Sequence, residues 1–238
     1  MIQERTIDYE HNGTVLEGFL AYDDAISGPR PGVLISHAWA GREPFECNKA
    51  RTLAQMGYAG FALDLYGKGV IGTGPEENTK LMQPFLDDRA MLQARLGIAL
   101  ETFGKQQEVN ADRIAAMGFC FGGLCVLDMV RVGANVRGVA SFHGLFIPPG
   151  NTVGNTITAK VLALHGHRDP MVPVDAVIEF ENEMTAAGAD WQIHVYGNAM
   201  HSFTNPAAND ASFGTMYDAD TDRRSWQTLV NFLAEVLA

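Results

Sequence analysis

Positive charge is sparse in this chain. Lys and Arg total 17 of 238 residues against 28 Asp and Glu, a formal net charge of −11. That balance repels phosphate backbones and polyanionic surfaces, so no nucleic-acid partner and no membrane partner is expected. Cysteine is scarce too. Three cysteines cannot form a complete disulfide framework, and a reducing, cytoplasmic compartment is the simpler expectation. The most apolar stretch, Ile114 to Leu127, is too short and too glycine-rich to span a membrane. The opening MIQERTIDYEHNG lacks the apolar centre of a secretion signal. The sequon Asn12-Gly13-Thr14 therefore reads as a hairpin turn, not as a glycosylation site. Repeats, low-complexity tracts and charged tails are all missing.

What is present is core material: 47% of residues are hydrophobic and 9% aromatic. The length suits a single domain over residues 1–238. Ile2–Tyr9 and Thr14–Tyr22 read as an antiparallel pair around Asn12-Gly13. Short apolar strands follow at Gly32–Ser36, Tyr58–Leu65, Arg113–Phe119, Val136–Phe142, Val161–His165 and Trp191–Tyr196. Helical spacing marks Ala50, Leu53 and Ala54 before a stop at Gly57. It marks most of Pro75–Phe103, with Phe85, Leu92, Leu96, Ala99 and Phe103 on one stripe. Further helices cover Phe121–Arg131, the segment with Val177, Phe180, Met184 and Ala187, and the chain after Asp220 with Trp226, Leu229, Val230 and Leu233 inward. Strands alternating with amphipathic helices give an α/β fold: a mostly parallel central sheet, helices on both faces, an antiparallel N-terminal strand pair. Such sheets collect ligands at the carboxyl ends of their strands.

Chemistry does gather at those ends. Gly118-Phe119-Cys120-Phe121-Gly122-Gly123 lies between a strand and a helix, a Gly-x-nucleophile-x-Gly elbow with sulfur in the nucleophile's place. A Cβ at either flank would collide with neighbouring backbone, and the free N–H groups of the helix behind favour a thiolate. Cys125, one turn into the apolar helix, and Cys47, near a helix start, read as packing residues. Asp169, in HGHRDPMVP, follows a buried strand, where capping the next helix is its plain alternative role. His201, in GNAMHSF, follows the last main strand. Nucleophile, acid and histidine thus come in the chain order of an α/β-hydrolase triad, each after a successive strand end.

These pieces resemble the dienelactone hydrolase family, a branch of the α/β-hydrolases with a cysteine nucleophile. GFCFGG around Cys120, HGHRDPMVP around Asp169, HSF at His201, HAWAGR and LDLYGKG carry the resemblance across most of the chain. It implies a hydrolase of small esters or lactones, of the carboxymethylenebutenolidase type, with catalytic residues Cys120, Asp169 and His201 and an acyl-cysteine intermediate. It also implies an oxyanion hole from the backbone N–H groups of Trp39 and Phe121. The family carries a thiol-activating glutamate after the third strand, where this chain has Ala38; Glu43 and Glu46 are near in sequence. Arg42, Arg89 and Arg95 are candidates for a substrate-carboxylate arginine, the last two reading better as solvated helix-surface residues. Tyr66, His143 and Phe203 are candidates for the substrate pocket, with packing as the alternative for His143 and Phe203.

No cofactor and no metal are expected. Gly67-Lys68-Gly69-Val70-Ile71-Gly72 fits a dinucleotide fingerprint, yet Thr73-Gly74-Pro75 separates it from the next helix. His165 and His167 have no further ligands at regular spacing. His165 reads as a strand-end residue hydrogen-bonded in place, and His37 as a structural hydrogen bond to the loop that follows it. The small-molecule substrate is the one expected partner; monomer and homodimer both fit. The rival reading is a non-catalytic or thiol-based binding or stress protein on the same fold.

Overall fold

The computed structural model describes residues 1–238. One eight-stranded sheet runs through it in the order β1-β2-β4-β3-β5-β6-β7-β8. β1 (Ile2–His11) and β2 (Thr14–Asp23) form the antiparallel hairpin. Asn12 and Gly13 both take positive φ, 51° and 76°, as a two-residue primed turn requires. β2 joins β4 (Ala59–Ala62) antiparallel. From β4 onward, β3 (Arg30–Ser36), β5 (Val109–Phe119), β6 (Gly138–Phe142), β7 (Lys160–Gly166) and β8 (Trp191–Tyr196) are parallel neighbours. A two-residue pair, β9 (Asn209–Asp210) with β10 (Thr215–Met216), stands apart after β8.

Period-two alternation divides the core into two halves. Leu34, Ile114, Ala116, Val161 and Ala163 point to the face covered by α2 (Pro75–Asp87), α3 (Arg89–Gly104), α4 (Phe121–Arg131) and α5 (Val174–Ala186). Val33, Ile35, Ala115, Met117 and Leu162 point to the face covered by α1 (Pro44–Gln55) and α6 (Ala219–Val236). Covered on both faces, the central strands read as continuous apolar runs. On α6 the inward residues are Leu229, Phe232 and Leu233, while Val230 is only half-buried.

Two boundaries and the burial of two arginines differ from the sequence expectation, each for a physical reason. β4 stops at Ala62, and two residues on the Asp64 carboxylate takes the N–H groups of Tyr66 and Gly67 at 2.9 and 3.1 Å and turns the chain. Pro75–Phe103 is two helices, because Asp88 accepts the Met91 N–H at 2.9 Å and caps a new start. Arg89 and Arg95 are buried rather than solvated. Arg89 grips Asp128 of α4, which Arg131 also contacts, while Arg131 reaches Glu183 of α5 through Nε and Nη2 at 2.8 and 2.6 Å. This network ties three helices together beneath the β6–β7 connection, whose Phe146 and Ile147 carbonyls accept from Arg131. Arg95 lies over the Phe85 ring and donates to the Leu65 carbonyl.

α1 opens with Pro44 in its first turn, and the Glu46 carboxylate reaches back to the Glu43 N–H at 2.9 Å, half of a capping box. Glu46 is only 2% exposed. Burial outweighs the hydrogen bonds it accepts, and its carboxyl is pushed up to about 7.

Two predictions follow from these buried charges. Asp128→Ala strands two guanidinium groups without their anion, and we expect a stability loss of about 3–5 kcal/mol by urea denaturation. Glu46 binds its proton more tightly folded than unfolded, so its contribution falls as pH rises from its ordinary 4.5 to about 7 and is level above that. Glu46→Gln removes this slope. The difference in unfolding free energy between native protein and variant should therefore change by on the order of 3 kcal/mol between pH 4 and pH 8, in favour of the variant at the higher pH.

Candidate active site

The elbow is built by close approach. A Cβ on Gly118 would lie 2.0 Å from the Gly122 carbonyl oxygen, and one on Gly122 would lie 2.2 Å from that of Ser36. Only with both side chains absent can α4 begin against the backbones of β3 and β5. Between them Cys120 turns the chain with φ 54° and ψ −116°, a strained conformation for a residue with a side chain. It is half-buried, whereas Cys47 and Cys125 are buried.

Asp169 and His201 meet from separate strand ends. Asp169 follows β7 and is 3% exposed; its Oδ1 accepts the Met171 N–H at 2.8 Å. Its Oδ2 lies 2.7 Å from Nδ1 of His201, which follows β8 and is 1% exposed. The backbone of His201 is held on both sides, its N–H donating to Gly214 and its carbonyl accepting from Met216, each at 3.0 Å. Nε2 of the ring is buried with no hydrogen-bond partner. Burial disfavours charge on this ring, but the nearby Cys120 sulfur and the bond to Asp169 outweigh it, raising His201 to about 10. The strand ends are not consecutive: β6 lies between those of Cys120 and Asp169, and its end carries His143.

His143 is 2% exposed, so it lies within the protein beneath the site. Its Nδ1 accepts the Cys120 N–H at 3.1 Å, and its Nε2 is 2.8 Å from Thr204 Oγ1. Phe203 is fully buried, edge-on to the His143 ring at 5.0 Å. Tyr66 is 9% exposed, and its hydroxyl donates to the Trp39 carbonyl at 3.0 Å.

The loop after β3 is fixed by several groups. His37 Nε2 accepts the Leu65 N–H at 3.2 Å, which leaves Nδ1 to donate to the Ala38 carbonyl at 2.6 Å. The Ala38 N–H points to Glu46 Oε1 at 3.4 Å, so Glu46 spans the loop from Ala38 to Glu43. The Trp39 ring is stacked on Phe213 at 6.0 Å, and the Phe121 ring packs on Tyr66 and Phe85. The sequence puts Glu46 near this loop but shows no contact; its place three residues beyond Glu43, in the first turn of α1, is the signal for one. Thr204 and Phe213 carried no such signal. His165, expected to be hydrogen-bonded in place, leaves its buried Nδ1 without a partner.

The three arginine candidates are engaged elsewhere. Arg42 donates to the Glu17 carboxylate at 2.7 Å and to its carbonyl at 2.8 Å. Arg89 is held by Asp128, and Arg95 by the Leu65 carbonyl and the His11 ring.

Comparison with known proteins identifies the family. The family model described as "Dienelactone hydrolase family" matches residues 16–237. An uncharacterized protein of Caenorhabditis elegans is 37% identical over 155 residues, 64% of this chain and 98% of that one. A protein of Aquifex aeolicus provisionally named a carboxymethylenebutenolidase is 28% identical across 97% of this chain and 98% of its own. Among solved structures, a dienelactone hydrolase-like promiscuous phosphotriesterase from metagenomic libraries superposes with a TM-score of 0.93 at 33% identity, covering 100% of this chain and 99% of that one. An elbow after β5, a buried acid–histidine pair drawn from two later strands and a family match over nearly the whole length lead to one conclusion: the chain belongs to the dienelactone hydrolase family, with the α/β-hydrolase fold, and is a hydrolase of ester or lactone bonds.

Proposed function

We propose that the protein hydrolyses small, uncharged esters or lactones through an acyl-cysteine intermediate. The observation that carries this reading is the buried His201–Asp169 pair, whose unpartnered Nε2 is neighbour to Cys120. In the first half-reaction the Cys120 thiol passes its proton to Nε2 of His201, the sulfur attacks the carbonyl carbon, and the carbonyl π electrons move to oxygen. The N–H groups of Trp39 and Phe121 receive that oxyanion; one such donor contributes about 3 kcal/mol to transition-state stabilisation. The tetrahedral species collapses, the carbon–oxygen bond of the ester breaks, and His201 gives its proton to the departing alkoxide. In the second half-reaction His201 takes a proton from water, the hydroxide attacks the thioester, and the sulfur leaves. Asp169 holds the ring orientation and stabilises its cation throughout.

An uncharged substrate is favoured because Arg42, Arg89 and Arg95 each already serve an anion or a carbonyl. The net charge of −11 disfavours approach of an anion in the same sense. Neutral phosphate triesters meet the same electrostatic condition and are a reasonable second substrate class, given the activity named for the 33% identical relative.

Three measurements test the proposal. Cys120→Ala should lose at least about a thousandfold in kcat/KM on p-nitrophenyl acetate with its circular dichroism unchanged, and native-like turnover would remove Cys120 from the chemistry. Incubating His201→Ala with the same ester should leave a stalled acyl adduct on Cys120 by intact mass. Across a panel of lactones, esters and one phosphate triester, neutral members should be turned over better than members bearing a free carboxylate. The reverse order would indicate an anion-binding side chain, and no turnover of any member would favour the binding or stress-protein reading.

A further inference from the structure

We propose that His143 is a positioning residue for the nucleophile, a strut that fixes the spacing between the Cys120 sulfur and the His201 ring. The inference rests on the acyl-cysteine reading above and adds a residue to it.

His143 is bonded at both ends. The Cys120 N–H donates to its Nδ1 at 3.1 Å and also to the Phe142 carbonyl at 3.0 Å. Because Nδ1 accepts, the ring proton sits on Nε2 and is donated to Thr204 Oγ1 at 2.8 Å. Thr204 is 1% exposed and lies three residues beyond His201. One imidazole therefore joins the backbone of the nucleophile to the loop that carries the base. Its ring also stands edge-on to that of His201, with centroids 5.2 Å apart.

Backbone strain is concentrated at the same place. Four residues other than glycine have positive φ: Asn12 in the hairpin, and Cys120, His143 and Ser202 at 54°, 39° and 59°. The last three are the nucleophile, the strut and the residue after the base. Unfavourable backbone of this kind persists only where its surroundings over-determine it. The tautomer is protected as well. Burial, the His201 charge and the Lys49 ammonium all oppose protonation of His143, outweighing a backbone contact that favours it. A second ring proton would set two donors face to face at Nδ1 and break the link to Cys120.

Substitutions distinguish a strut from a filler. Asn tolerates left-handed backbone, and its Oδ1 occupies the place of Nδ1. Gln puts a donor near the place of Nε2 and no acceptor at Nδ1; Leu supplies neither. His143→Asn should keep kcat on p-nitrophenyl acetate within about tenfold of native, whereas His143→Gln and His143→Leu should lose about a hundredfold with KM moved less than about threefold, the cost of a nucleophile misplaced by roughly an ångström. Alkylation by iodoacetamide at pH 7, assigned to Cys120 by peptide mapping, requires no turnover. It should slow at least about tenfold in the Gln and Leu variants and hold in the Asn variant. Thr204→Val removes only the far contact of the strut, keeps the test open should the Leu variant fail to fold, and should slow alkylation about threefold or more. The proposal is overturned if the Leu variant retains native kcat and alkylation rate, if Asn and Leu fall together in step with their loss of stability in urea, or if Thr204→Val alkylates at the native rate. Native protein that turns over no ester while the order of alkylation rates holds would overturn the hydrolase reading and support the strut.

Discussion

The backbone of α4 presses directly on the backbones of β3 and β5, and everything at the site depends on that contact. With hydrogen alone at Gly118 and Gly122, the helix starts where side chains would otherwise hold it away. The chain then has one residue in which to turn from strand to helix, and that residue is Cys120. Sulfur is thus lifted above the sheet edge at the beginning of a helix, where unpaired N–H groups gather. The later strands deliver their residues to the same edge because they run parallel to β5. A parallel sheet brings all its carboxyl ends together, so residues up to 81 positions apart in sequence need only short loops to meet.

Much of this was legible in the sequence, because it is written in local patterns. The elbow is six consecutive residues, the strands are apolar runs, and the order of Cys120, Asp169 and His201 follows the order of the strands. What was not legible depended on partners distant in sequence. Nothing near Arg89 signals Asp128, 39 residues away, so a side chain that looks solvated is buried. Arg95 likewise finds its carbonyl acceptor 30 residues back. Helical periodicity continues through Asp88, where a non-helical backbone, φ −122° and ψ 83°, and the capping bond of its side chain divide the helix. On α6, the spacing allows either Val230 or Phe232 to face inward, and packing on the sheet selects Phe232. His143 had no signal beyond its place after a strand; the bond from Cys120 that gives it meaning exists only once β5 and β6 are paired.

The loop at Ala38 is held by a buried acid. Glu46 is turned to the backbone, binding the N–H groups at the two ends of the loop. With His37 and Tyr66 holding the carbonyls of Ala38 and Trp39, the loop is fastened by side chains rather than by regular structure. A preformed loop of this kind has little freedom left to lose when a ligand arrives.

The stacked pair of Trp39 and Phe213 has a mechanical meaning. Phe213 stands next to Gly214, whose carbonyl receives the N–H of His201, and Met216 returns a bond to the same residue. The half-exposed Phe213 ring and the buried His201 are therefore linked through one peptide bond and one hydrogen bond. The stacking of Trp39 on Phe213 thus joins the loop after β3 to the segment that holds His201 by its backbone, so that the two loops are braced against each other across the end of the sheet.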